Sequence, residues 1–257
     1  MKSPKEMAVR GIECRGSPMA QLKSCNATAV PPQSTGLPMD ALDELIRPIR
    51  HSPQLPLLVD RLTRQLQAER QARERFYDEM TPEQKIEFID GEVVVHSPAR
   101  NRHLDATINL TKLMHTFVRR HRLGSVKTEK CLCVFPRNDY EPDIVFFGPE
   151  KTSRFEPETM KFPVPDLAVE VLSSSTESRD RGVKFEDFAA NGVGEYWIIN
   201  TEEASVEQYV LEAGVYYLRM KSSSGRLVSS VITGLEIDVE AIFDDEENLK
   251  ALAKILA

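Results

Sequence analysis

Two short apolar segments each carry a carboxylate where a strand would ordinarily place another hydrophobe. In Glu141-Pro-Asp143-Ile-Val-Phe-Phe147, Asp143 directly precedes four apolar residues. In Pro165-Asp-Leu-Ala-Val-Glu170-Val-Leu172, Glu170 lies inside the apolar run. Stripping water from a lone carboxylate is costly, so it persists in such a strand only where a base, backbone donors or a metal ion compensate it. Two of them on neighbouring strands predict a site for a hard divalent cation, which takes oxygen ligands. Asp166 shares the strand face of Glu170 by the period of two, although Pro-Asp at a strand start is as readily structural.

The elements that must position these groups are legible from periodicity. Ile86–Ile89, then Asp90-Gly91, then Glu92–His96 reads as a hairpin, because Asp-Gly supplies the positive φ of a tight turn. Thr81-Pro-Glu-Gln84 carries a helix-start pattern. Residues 101–121 predict a helix with Leu104, Ile108, Leu113, Met114 and Phe117 near one face, stopped at Gly124. Strands follow at about 126–135, 143–147 and 166–173, then a helix over about 178–191 and a strand at 195–200. Residues 205–220 form a second hairpin pattern turning at Glu212-Ala213-Gly214, and further strand pattern occupies 227–238.

This order predicts an α+β fold with a mixed sheet. Its core is helix–three strands–helix–strand, with an added N-terminal hairpin and C-terminal antiparallel strands. Around it we expect a disordered, proline-rich leader over 1–53, an N-terminal helix over 54–80, the main domain over 81–245 and a C-terminal helix over 246–257. Leu58, Leu62 and Leu66 fall on one side of the N-terminal helix, which therefore either packs on the domain or pairs two copies in a homodimer.

With 257 residues, 28% of them charged and 41% hydrophobic, the chain fits one domain with appendages or at most two small domains. No run reaches the roughly 18 apolar residues that span a bilayer, so no membrane partner is expected, and no apolar signal segment opens the chain. Cys14, Cys25, Cys131 and Cys133 have neither zinc spacing nor a disulfide pattern, so a reducing, cytoplasmic setting is the expectation. The net charge of −7 argues against nonspecific nucleic-acid binding, but residues 100–130 hold eight basic side chains against two acidic ones. That basic stretch could dock a phosphate backbone or simply be a solvated helix face. No phosphate-binding glycine loop, dinucleotide turn or nucleophile elbow is present in the sequence.

The ordered set Ile-Asp-Gly-Glu92, His-Ser-Pro98 with His103 after it, Glu-Pro-Asp143, Pro-Asp-Leu-Ala-Val-Glu-Val-Leu-Ser173, Asp180 with Lys184, and Gly-Val-Gly-Glu-Tyr-Trp197 resembles the Uma-two family. That family, abundant in bacteria, belongs to the PD-(D/E)XK, or restriction-endonuclease-like, superfamily. The resemblance covers about residues 80–243. It implies a metal-dependent endonuclease that hydrolyses phosphodiester bonds of nucleic acid, DNA in particular, with Asp143 and Glu170 binding Mg²⁺ or Mn²⁺. The superfamily's lysine two residues after the glutamate is Leu172 here. Lys184 is then the candidate for orienting the attacking water, from the helix face it shares with Asp180.

Glu92 is a candidate third carboxylate, and His103 could contact phosphate or metal or merely cap the site. Arg100 and Arg102 are candidate nucleic-acid contacts. Each has a plainer reading: Asp143 as a strand-start residue, Lys184 as a surface lysine paired to Asp180 or Asp187, and Tyr196 and Trp197 as core rather than a base-stacking platform. The rival to the enzyme is a catalytically inactive nuclease-fold binding or regulatory module, favoured by Leu172 and the acidic total.

Overall fold

The apolar runs become strands and the periodic segments become helices over residues 39–81 and 83–257, which the computed structural model describes. The helices are α1 (Met39–Arg50), α2 (Leu55–Glu79), α3 (Asn101–His121), α4 (Pro149–Thr152), α5 (Glu177–Asp180), α6 (Val183–Ala190), α7 (Glu240–Phe243) and α8 (Asp245–Leu256). The strands are β1 (Ile86–Ile89), β2 (Glu92–Val95), β3 (Ser125–Thr128), β4 (Leu132–Val134), β5 (Asp139–Tyr140), β6 (Ile144–Phe147) and β7 (Lys161–Phe162). They continue with β8 (Leu167–Val171), β9 (Glu195–Asn200), β10 (Ser205–Glu212), β11 (Val215–Ser222), β12 (Arg226–Val228) and β13 (Glu236–Asp238).

The central sheet runs β11-β10-β9-β8-β6-β3. Only β8 and β9 pair in parallel within it, joined by α6, so the sheet is mixed. The chain order α3, β3, β6, β8, α6, β9 is the helix–three strands–helix–strand core of the α+β expectation. Strand alternation divides its side chains between two faces. Ile144, Phe146, Leu167, Val169, Trp197 and Ile199 pack with Leu110, Leu113, Met114 and Val118 of α3. Val145, Phe147, Ala168, Tyr196 and Ile198 pack on the other side with Phe188 of α6. Tyr196 and Trp197 are core residues, fully buried.

A second sheet, β2-β1-β5-β4-β7, holds the N-terminal hairpin. Its turn is made by Asp90 (φ 51°) and Gly91 (φ 88°). Helix α2 docks on this sheet through its C-terminal half: Phe76 is buried with Ile86, Phe88 and Leu132. Arg73 donates to both oxygens of the buried Asp139, at 2.7 and 2.5 Å. The N-terminal half of α2 leaves Leu57, Leu62 and Leu66 exposed. Among the described residues, no helix is long and apolar enough to cross a membrane.

Several local expectations change. Part of the stretch expected to be disordered, 39–50, is helix α1; the remainder before it, with Cys14 and Cys25, lies outside the described residues. Glu83 and Gln84 form a turn and a bend, not a helix. The strand expected over 126–135 is two strands in two sheets, because Lys130 takes a left-handed φ of 60° and redirects the chain. Leu104 and Ile108 are exposed; the buried face of α3 is instead Ala106, Leu110, Leu113, Met114 and Val118. The helix over 178–191 breaks at Gly182, where a side chain would meet the carbonyl oxygen of Ser178 at 2.7 Å. The α3 stop is Arg122 in the left-handed region, while Gly124 is required for another reason: a Cβ there would lie 2.1 Å from the Phe147 carbonyl oxygen.

Candidate active site

Asp143 and Glu170 are brought together by register. Ile144 pairs with Val169 across β6 and β8, so one step further Asp143 stands opposite Glu170, both on the α6 side of the sheet. The Val171 N–H donates to Asp143 Oδ2 at 2.8 Å. Lys85, immediately before β1, donates to Asp143 Oδ1 at 2.7 Å, and His103 Nε2 lies 3.5 Å from the same oxygen. Burial pushes the Asp143 carboxyl up, but the His103 hydrogen bond and the Lys85 ammonium outweigh it and hold the group below its usual range.

Beneath this surface lies a sealed charge cluster. Lys184 has a side chain only 1% exposed and reaches Glu170 Oε1 at 2.8 Å, Glu87 Oε1 at 2.9 Å and Asp180 Oδ1 at 3.5 Å. Burial works against its charge, but the three carboxylates raise its pKa well above normal. Burial raises Glu87 too; Lys184 and His96, whose Nε2 lies 2.9 Å from Glu87 Oε2, pull it down to about 2. Glu170 is different: burial raises it well above normal, and Lys184 only partly offsets this because Asp180, Asp143 and Glu87 also repel its charge. Its Oε2 accepts no hydrogen bond among the described residues.

A cleft of about 610 Å³ opens above these groups. Asp143, Glu170, His103, Arg100 and Arg102 line it, as do Lys85, His96, Glu129 and Arg179. Carboxylate oxygens of Asp143 and Glu129 and a ring nitrogen of His103 all lie within 4.8 Å of one another. This nitrogen-and-oxygen set, with Glu170 lining the same cleft, suits a hard or borderline divalent ion.

Other expected residues lie elsewhere. Glu92 is exposed on β2 and does not line the cleft: it shares the sheet face of Glu87 but sits on the edge strand beside the turn, while Glu87 lies on the buried inner strand β1. Asp166 sits at the opposite end of β8, bound by the Gly148 N–H and by Lys151, both at 2.6 Å. Asp180 and Lys184 are buried behind Glu170 rather than in the cleft. Arg100 and Arg102 both face Glu202, which neutralises them in part.

Glu87 was missed although it carries the same signal as Glu170, a carboxylate within the apolar Ile86-Glu-Phe-Ile89 strand. Lys85, Glu129 and Arg179 carry no such signal; only chain packing assembles them.

The sequence model of the Uma2 family, described as "Putative restriction endonuclease", matches residues 58–240. The chain belongs to the Uma2 family. A solved structure similar to this Uma2 chain is that of a protein from Anabaena variabilis described as a "putative nuclease belonging to DUF820". The two share 18% identity with a TM-score of 0.58, over 70% of this chain and 97% of the other, which shows a common fold. No curated protein matches this Uma2 chain.

Proposed function

We propose that the cleft is the active site of a metal-dependent endonuclease that hydrolyses phosphodiester bonds of nucleic acid, with DNA as the first substrate to test. The observation that carries this reading is the convergence of Asp143, His103 and Glu129 within 4.8 Å, beside Glu170, in an open cleft of a Uma2 chain. Asp143, His103, Glu129 and Glu170 are the residues that would hold Mg²⁺ or Mn²⁺. A divalent ion there supplies Lewis acidity to a phosphate and acidifies water.

The chain's own groups do the rest. The Val171 N–H and Lys85 fix both oxygens of Asp143 in place. Lys184 orients Glu170 by a 2.8 Å bond and supplies the counter-charge that lets carboxylates cluster under the cleft. Lys85, 19% exposed at the side chain, is the lysine with access to a bound phosphate, where its ammonium opposes charge that develops in the transition state. Lys184, behind Glu170, positions rather than touches. Buried free Cys131 and Cys133 accord with work in a reducing cytoplasm.

The test is Mn²⁺ calorimetry on wild type and Asp143→Asn, with plasmid cleavage measured alongside. Binding and cleavage that both vanish in the variant support the reading; a wild type that neither binds Mn²⁺ nor cuts ends it. The second reading, a nuclease-fold binding module without turnover, is favoured by Leu172 in the superfamily's lysine position. DNA binding with no cleavage at any Mn²⁺ concentration would select it.

A further inference from the structure

One cation on the cleft wall has no partner among the described residues. Lys85 is opposed by Asp143, His96 by Glu87, His103 by Asp143, and Arg100 and Arg102 by Glu202. Arg179, on α5, lines the same cleft, and its side chain makes no hydrogen bond or ion pair among the described residues. Its Nε is buried from water and still donates to nothing. The neighbouring carboxylate that could have served, Glu177, is instead held by Arg181 at 2.9 Å.

Arg179 as a whole is only half-buried, but its Nε–H has lost its solvation with no acceptor in return, and such a donor beside an open cleft suits a ligand that supplies one. The guanidinium fork matches phosphate oxygens in pairs. Beside it, the loop before α5 presents hydroxyls to the cleft. Ser173 Oγ lies 3.0 Å from Ser175 Oγ and 3.0 Å from Thr176 Oγ1, and all three residues line the cleft. Their two mutual bonds use two of the three hydroxyl protons and leave the third to turn toward an anion.

We infer that Arg179, with the Ser173–Thr176 hydroxyls, is a phosphate subsite that grips the backbone of a nucleic-acid strand lying in the cleft. This rests on the nuclease reading for the identity of the strand, and on Arg179's unpaired state for the site itself. It gives the cleft a fixed anchor apart from Asp143, His103 and Glu129.

The experiment follows a fluorescein-labelled 20-base-pair DNA duplex by anisotropy in EDTA, from 50 to 200 mM KCl, with wild type, Arg179→Lys and Arg179→Gln. Arg179→Gln should weaken binding about tenfold and lower the salt slope by about one phosphate contact, with the lysine variant between. The melting temperature should not move, since the side chain has no internal partner to lose. In parallel, inorganic phosphate is titrated while the Arg179 Nε–H signal is followed by NMR; it should shift.

Equal affinity and salt slope in Arg179→Gln, with a static Nε–H signal, overturn the subsite and leave the nuclease reading standing. A shifting signal in a wild type that binds no duplex keeps an anion site but overturns the strand as its ligand, while the nuclease reading is decided separately by Mn²⁺ binding and cleavage. A lowered melting temperature with unchanged binding makes Arg179 structural and overturns the inference.

Discussion

Lys184 and Lys85 each hold a carboxylate at under 3 Å, and those carboxylates, Glu170 and Asp143, face one another across two paired strands. Yet Lys184 is 1% exposed among three carboxylates, while Lys85 is 19% exposed and lines the cleft. The same residue type therefore serves two ends. Sealed from water, the ammonium is a structural counter-ion whose removal strands several charges. At the cleft wall it keeps one partner and can exchange it for a ligand. Access, rather than residue type or spacing, separates the two.

The largest effect that would sharpen this contrast is in Lys184→Met. Glu87, Glu170 and Asp180 would lose their shared cation, and urea unfolding at neutral pH should show a loss of about 3–5 kcal/mol. A loss under about 1 kcal/mol would mean the cluster does not depend on Lys184, and the contrast would collapse.

Lys85→Met should cost much less, about 1 kcal/mol, because water reaches the site and the Val171 N–H stays on Asp143. The same variant should gain more thermal stabilisation from Mn²⁺ than wild type does, since Asp143 Oδ1 has lost its competing cation. Equal Mn²⁺-induced shifts in the two proteins would show that Lys85 and the metal do not share that oxygen.

The smallest effect concerns Arg181, two residues from Arg179 but paired. Its bidentate bond to Glu207, at 2.8 and 3.0 Å, is the main reason the Glu207 carboxyl is lowered to about 2 from 4.5; burial opposes the shift. A depressed carboxylate pKa stabilises fully above the unfolded value, and that stability is lost as pH falls from 4.5 towards 2. With Arg181 one-third exposed, solvent screening limits the contribution to about 1 kcal/mol. Glu207→Gln should lower the unfolding free energy in urea at pH 7 by that amount and match wild type near pH 2. A difference that persists unchanged into acid would put the effect in packing instead.

Both strand carboxylates at the heart of the cleft were legible because they break an apolar pattern, and desolvation makes such a break informative. Glu87 was legible by the same rule. Glu92, the candidate third carboxylate, lies on the exposed edge strand of the same hairpin, and a sequence does not state which strand of a hairpin becomes the edge. Lys184 was found by its spacing from Asp180, but spacing along a chain carries no measure of exposure. The left-handed turn at Lys130, after which Leu132–Val134 joins the second sheet, falls within the polar Lys127-Thr-Glu-Lys130 stretch and carries no glycine, asparagine or proline to mark it.

The sequence by itself determined the order of elements, the Asp90-Gly91 and Ala213-Gly214 hairpins and the two carboxylates, because periodicity, positive-φ turns and desolvation are local properties. Only the tertiary structure decided that Glu129 meets His103, that Lys85 rather than Lys184 reaches the cleft, and that Arg179 is left without a partner among the described residues. These depend on which side chains the packed sheets seal from water and which they leave facing it, and no local pattern encodes that.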